Sequence, residues 1–227
     1  MRVPWVPREG IEREAHKVIS EYGKMVGRNV APPIPVEHII EGFLGLRLCF
    51  EDLEEKFGQK GILGVLILDE GRVVINTQLA ESGTEGRYCF TCSHEVGHWI
   101  LHRHLIKKAA KRSGDQSAII CRLSDARKSH EWQADYFAAC LLMPRKHVFE
   151  AFKTVCGERP LVLENENSKL GGTWVAVDPC VSNWHYIAQL VCNAGGFDNV
   201  SKEAMAIRML ELGLIVNTTE AKIGWGV

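Results

Sequence analysis

Apolar residues recur every three or four positions along the first long stretch of the chain. Over residues 9–28, Ile11, Ala15, Val18, Ile19, Tyr22 and Val26 share one side of a helical wheel and charged residues fill the other. That pattern predicts an amphipathic helix with one packed face. Pro32, Pro33 and Pro35 break it, a short helix restarts over 36–44, and Gly45 closes that one. The period then drops to two. Residues 46–50 alternate like a strand, residues 62–68 and 72–76 form two more β-rich runs, and Asp69-Glu70-Gly71 makes a tight hairpin joint between the last two. A small antiparallel sheet of about three strands is expected. Helical spacing returns from about 83–87 to about 103, where Phe90, His94, Gly97, His98, Leu101 and His102 recur on adjoining faces. Residues 107–117 are basic and then turn-rich, which reads as a solvated helix end and an exposed loop. A further helix runs from Ser129 to Pro144, another covers 145–156, and residues 157–180 carry turn formers between β-branched pieces in the manner of a hairpin. Residues 183–192 are helical, and Ser201 caps a last helix that runs through Leu212 to a stop at Gly213.

These elements make an α+β chain, mostly helical, and 227 residues at 46% hydrophobic suffice for one main domain with an appendage. Lys and Arg total 27 against 28 Asp and Glu, so no global field draws nucleic acid or an anionic membrane. Four cations in residues 107–117 without interleaved aromatics are read as a bland surface, with a binding patch as the alternative. No apolar run approaches 18 residues and no apolar signal segment follows Met1, so no membrane span and a cytoplasmic location are expected. The eight cysteines are then reduced thiols, mostly small core residues.

The candidate chemistry centres on His94-Glu95-Val96-Gly97-His98. Two imidazoles at i and i+4 on a helix point the same way and can grip one metal ion, and Glu95 stands where a carboxylate takes a proton from water at that ion. Catalytic zinc sites have three protein ligands, so a third is needed. His104 has the spacing of an H-E-x-x-H-x-x-G-x-x-H site, but Leu101 replaces the glycine that lets the chain swing back. His102 stands about 12 Å along the helix axis from His94 at about 1.5 Å per residue, which suits a supporting or core histidine better than a ligand. Glu131 is the better candidate. It lies on a second helix with Asp135 one turn on, and Asp135 can accept the free ring N–H of a ligating histidine. Two carboxylates on a face otherwise made of Ala134, Ala138, Leu141 and Leu142 are costly to bury unless a cation faces them. Simple exposure of both stays open as the alternative. Cys89-Phe90-Thr91-Cys92 lacks a second C-x-x-C or a thioredoxin-like setting and is read as packing, with redox modulation and a structural metal as the competing roles.

Three blocks carry a resemblance. Residues 87–102 (RYCFTCSHEVGHWILH), 130–144 (HEWQADYFAACLLMP) and 197–215 (FDNVSKEAMAIRMLELGLI) are similar, in order and wording, to the signature blocks of the ImmA/IrrE metallopeptidases. The resemblance extends over most of residues 10–215, with a long connection between His98 and Glu131 and an extra segment at 157–180. It implies a gluzincin-like, zincin-like domain over 1–145, with a zinc ion held by His94, His98 and Glu131 and Glu95 as general base. It also implies a C-terminal helical, winged-helix-like module over 146–227, with the irregular insertion at about 157–180. Members of that family act on, or sense stress for, helix-turn-helix transcriptional repressors, so a cytosolic repressor is the expected protein substrate. Some members carry a DNA-binding domain in front; this chain starts almost at the family's first helix, so none is expected. Tyr88, His130, Tyr136 and Arg127 lie near the motifs, and none is assigned to the oxyanion. Two other readings compete. One is a regulator that binds a repressor without cutting it. The weaker one is DNA binding through the helix at 201–212, which offers only Lys202 and Arg208 beside Glu203 and Glu211.

Overall fold

The computed structural model describes residues 3–81, 85–113, 118–122, 129–163, 166–170, 173–177 and 181–217. The chain divides into two compact units, Met1–Leu142 and Met143–Val227.

In the first unit, helix α1 (Arg8–Val26) buries Ile11, Ala15, Val18, Ile19 and Tyr22 and ends on Gly27 in the left-handed conformation. A short helix α2 (Val36–His38) runs into a π-helical turn (Ile39–Phe43). Strand β1 (Arg47–Glu51), helix α3 (Leu53–Phe57) and strands β2 (Ile62–Ile67) and β3 (Arg72–Asn76) follow. Helix α4 (Thr77–Glu81), helix α5 (Glu85–Leu101), helix α6 (Arg103–Ser113), strand β4 (Ala118–Arg122) and helix α7 (Ser129–Leu142) complete the unit.

The sheet departs from the expected three antiparallel strands in two ways. It has four strands in the order β1-β3-β2-β4, and β1 pairs with β3 in parallel, Cys49 opposite Val74. The β2–β3 hairpin is antiparallel as its Asp-Glu-Gly turn requires, so whichever of its strands lies beside β1 sets the direction of that pairing. Here the chain returns through α3 and lays β3, not β2, against β1. Alternation of apolar residues specifies a strand's buried face but not its neighbour. The fourth strand, β4, pairs antiparallel with β2.

Val65, Ile67 and Val74 pack with Leu53 of α3 on one side of this sheet. On the other side Gly64 faces Thr91 and Glu95 of α5. Helix α7 lies against both α1 and α5 and is buried almost all round from Ala134 to Leu142, where Asp135 is the one charged residue in an otherwise largely apolar run. Where α5 meets α7, Gly97 stands against the backbone of Ala134. Cys89 and Cys92 are both buried on α5.

The second unit holds helix α8 (Arg145–Cys156), strands β5 (Leu161–Leu163), β6 (Glu166–Leu170) and β7 (Thr173–Val177), helices α9 (Val181–Gly195) and α10 (Lys202–Glu211), and strand β8 (Ile215–Asn217). Strands β6 and β7 form the antiparallel hairpin expected within 157–180, and β5 pairs with β8 in parallel. Ser201 caps α10 by accepting the Ala204 N–H at 3.1 Å. Val148, Phe152, Val191, Phe197, Met205 and Met209 build the core here. Arg208 is fully buried and donates from Nε to the carbonyl of Met143 at 3.2 Å. One of the two cations that α10 could have offered to DNA is thus spent inside the unit. Among the described residues no helix is long and apolar enough to cross a membrane.

Candidate metal centre

Helix α5 places His94 and His98 one turn apart, with ring centroids 4.5 Å from each other. Helix α7 supplies the third group: Glu131 Oε2 lies 3.1 Å from His94 Nε2 and 3.4 Å from His98 Nε2. One donor atom from each of the three residues can be chosen so that all lie within 4.8 Å of one another, and all three residues are buried. The approach depends on Gly97, which lets the two helix backbones close up beside the cluster.

The surroundings prepare each group. His94 donates from Nδ1 to Asp135 Oδ1 at 2.8 Å, which leaves its Nε2 turned toward Glu131. Burial alone would raise the Glu131 carboxyl, but the imidazoles of His130, His94 and His98 around it outweigh that and hold the group well below the usual carboxylate range. His130 Nε2 lies 3.1 Å from Glu131 Oε1, leaving Oε2 for the cluster. Burial, aided by His94, pushes His98 down to about 3, so its ring is neutral near pH 7. Burial likewise pushes His102 down to about 4. Glu95 is completely buried and neither carboxylate oxygen has a hydrogen-bond partner. Burial raises it to about 8, His94 opposes that rise, and the charge of Glu131 adds to it.

These residues fit a metal ion. A fully buried His98 Nε2 without a hydrogen-bond partner is costly in an apolar interior, as is a buried carboxyl with two unpartnered oxygens. A cation facing them removes both costs. Two imidazoles and one carboxylate also form the His₂Glu donor set of hydrolytic zinc sites.

The residues singled out in the sequence fall into two groups. His94, His98 and Glu131 converge, with Glu95 and Asp135 in contact with or beside them. His104 is exposed on α6 and takes no part, while His102 sits behind His98, their Nδ1 atoms 3.0 Å apart. Tyr88 spends its hydroxyl on Glu37 Oε1 at 2.6 Å, and Tyr136 stacks with Trp132. Arg127 lies outside the described residues. Sequence reasoning missed the task of His130, which orients Glu131, and overlooked Gln133 altogether. The available signal for Gln133 was its place as a polar residue next to Ala134 on a buried helix.

Residues 44–155 match the family model described as the IrrE N-terminal-like domain, Peptidase_M78. No curated protein matches the chain.

Proposed function

We propose that the chain, whose residues 44–155 are an IrrE N-terminal-like domain of the Peptidase_M78 metallopeptidase family, is a zinc-dependent endopeptidase acting on a helix-turn-helix repressor. The observation that carries the peptidase reading is the unpartnered, fully buried Glu95 carboxyl beside the His94, His98 and Glu131 cluster. A purely structural metal site has no use for a further carboxyl held free of hydrogen bonds beside its three ligands. His94, His98 and Glu131 would hold the ion. Zinc, when bound, supplies Lewis acidity that makes water a better nucleophile near neutral pH and polarises the scissile carbonyl.

Glu95 takes the proton from the attacking water onto a carboxylate oxygen and gives it to the departing amine nitrogen. Its raised pKa suits both halves of that cycle, since a carboxyl near neutrality can accept and release a proton at working pH. A nearby cation lowers the value and so favours the accepting form at the start. Asp135 and His130 hold His94 and Glu131 in position throughout.

The repressor target is supported by the similarity of all three motif blocks to those of the ImmA/IrrE proteins. The test is to co-express the chain with repressor-like products of neighbouring genes and to look for clipping by mass spectrometry, with Glu95→Gln as control. Clipping lost in Glu95→Gln supports the reading. A partner held but never cut, with or without Glu95, would instead make the domain a docking scaffold.

A further inference from the structure

We propose that His102, Gln133 and the backbone carbonyl of Pro4 form a one-way hydrogen-bond relay that sets the tautomer of His98, so that its bare Nε2 faces the metal position. The relay serves the metallopeptidase reading but is built from contacts that exist without the ion.

The direction starts at the end that cannot vary. A carbonyl oxygen only accepts. Gln133 places Nε2 3.1 Å from Pro4 O and 3.5 Å from Ser129 Oγ, so the amide nitrogen lies on that side. Its Oε1 is then turned to His102 Nε2 at 3.1 Å. An amide oxygen also only accepts, so His102 carries its proton on Nε2 and leaves Nδ1 bare. His98 Nδ1 lies 3.0 Å from that bare nitrogen and has to supply the proton of the bond. His98 Nε2 is therefore left with a lone pair, buried, without a hydrogen-bond partner and 3.4 Å from Glu131 Oε2. Reversing any one link would set donor against donor or acceptor against acceptor inside a buried chain, since His98, His102 and Gln133 are all completely buried.

The outer end is clamped. Trp5 stacks on Trp132 with centroids 5.0 Å apart, and the Arg8 guanidinium lies over Trp132 at 5.8 Å and Tyr136 at 5.3 Å. This fixes the segment that presents Pro4 O. The two histidines are thus prepared by different means: His94 by the Asp135 carboxylate, His98 by a neutral relay that reaches the N-terminal segment.

The test uses the full chain in four forms: wild type, Gln133→Leu, His102→Leu and His102→Asn, the last being the conservative variant whose amide oxygen can stand in for the accepting Nδ1. Long-range proton–nitrogen correlation spectra of the metal-free wild type should show His98 protonated at Nδ1 and His102 at Nε2. Zinc affinity at fixed pH should fall about 10–100-fold in Gln133→Leu and His102→Leu, the range seen when groups behind metal-ligating histidines are removed. His102→Asn should recover most of it. A wild-type spectrum with His98 protonated at Nε2, or folded leucine variants that bind zinc within about twofold of wild type, would overturn the relay. Should the leucine variants fail to fold, the wild-type tautomers decide the matter alone. A wild type that binds no zinc would sink the peptidase reading while the spectrum still decides the relay.

Discussion

Replacing Gly97 with alanine tests the central packing claim, that Glu131 reaches the two histidines because α5 and α7 touch backbone to backbone. A Cβ at position 97 would stand 3.1 Å from both Ala134 Cα and Ala134 O and 3.2 Å from Phe137 Cδ1, where ordinary contact begins at 3.4 Å. Two of those three atoms are main chain, so no rotamer change relieves the crowding, and α7 must retreat by a few tenths of an ångström. Overpacking of this kind costs about 1–3 kcal/mol. Alanine gains back about 1 kcal/mol of helix propensity over glycine. The net is a loss of about 0–2 kcal/mol, and at about 2–4 °C per kcal/mol the melting temperature falls by a few degrees. The metal site should suffer more than the fold. Glu131 rides on α7 one turn before Ala134, and ligand distances tolerate only about ±0.2 Å. Zinc affinity should therefore drop by about tenfold or more, about 1.4 kcal/mol. Gly97→Val should exceed Gly97→Ala on both counts. Competition with a chromophoric chelator measures the affinity, and calorimetric scans with and without zinc measure the stability. A Gly97→Ala protein that melts higher than wild type and binds zinc equally well would show that propensity alone acts there, refuting the close-contact argument.

Other outcomes follow from the same geometry. Glu95→Gln should keep zinc while cleavage falls by about 10²–10⁴-fold, the usual worth of a general base, and turnover beside metal content checks both. In the metal-free protein burial raises the folded Glu95 carboxyl to about 8, against an ordinary glutamate value of 4.5. Its proton is held by the folded state and released by the unfolded chain across that window, so stability should fall as pH rises from about 5 through 8, by at most about 1.4 kcal/mol per pH unit. Urea melts at several pH values should show this slope in wild type and a shallower one in Glu95→Gln; equal slopes would contradict the assignment. His98 works in the opposite sense, because a folded value of about 3 against 6.5 makes stability rise with pH between them. Gly64→Ala would bring a Cβ to 2.7 Å from Glu95 Oε1 and 3.1 Å from Thr91 Cγ2. The displaced carboxylate should lower turnover by about 10²-fold with zinc retained, and unchanged turnover would mean that Glu95 relocates freely.

Much of the site was legible in one dimension because its parts obey local rules. His94 and His98 share a helix face by spacing alone. Glu131 and Asp135 stood out because carboxylates on an apolar face are costly, and that cost points to a cation. The α+β class, the β2–β3 hairpin and the Ser201 cap were equally local in origin. What only the folded chain decided is which faces meet. The parallel β1–β3 pairing and the fourth strand arise from how the chain returns, which period-two alternation does not encode. The burial of Arg208 followed from the carbonyl it found 65 positions away. Gln133 left only a weak mark in the sequence, because a neutral amide can be satisfied in many ways and its burial carries no charge penalty. Its partners, His102 and the carbonyl of Pro4, stand 31 and 129 residues away, and only tertiary packing brings them into one line behind His98.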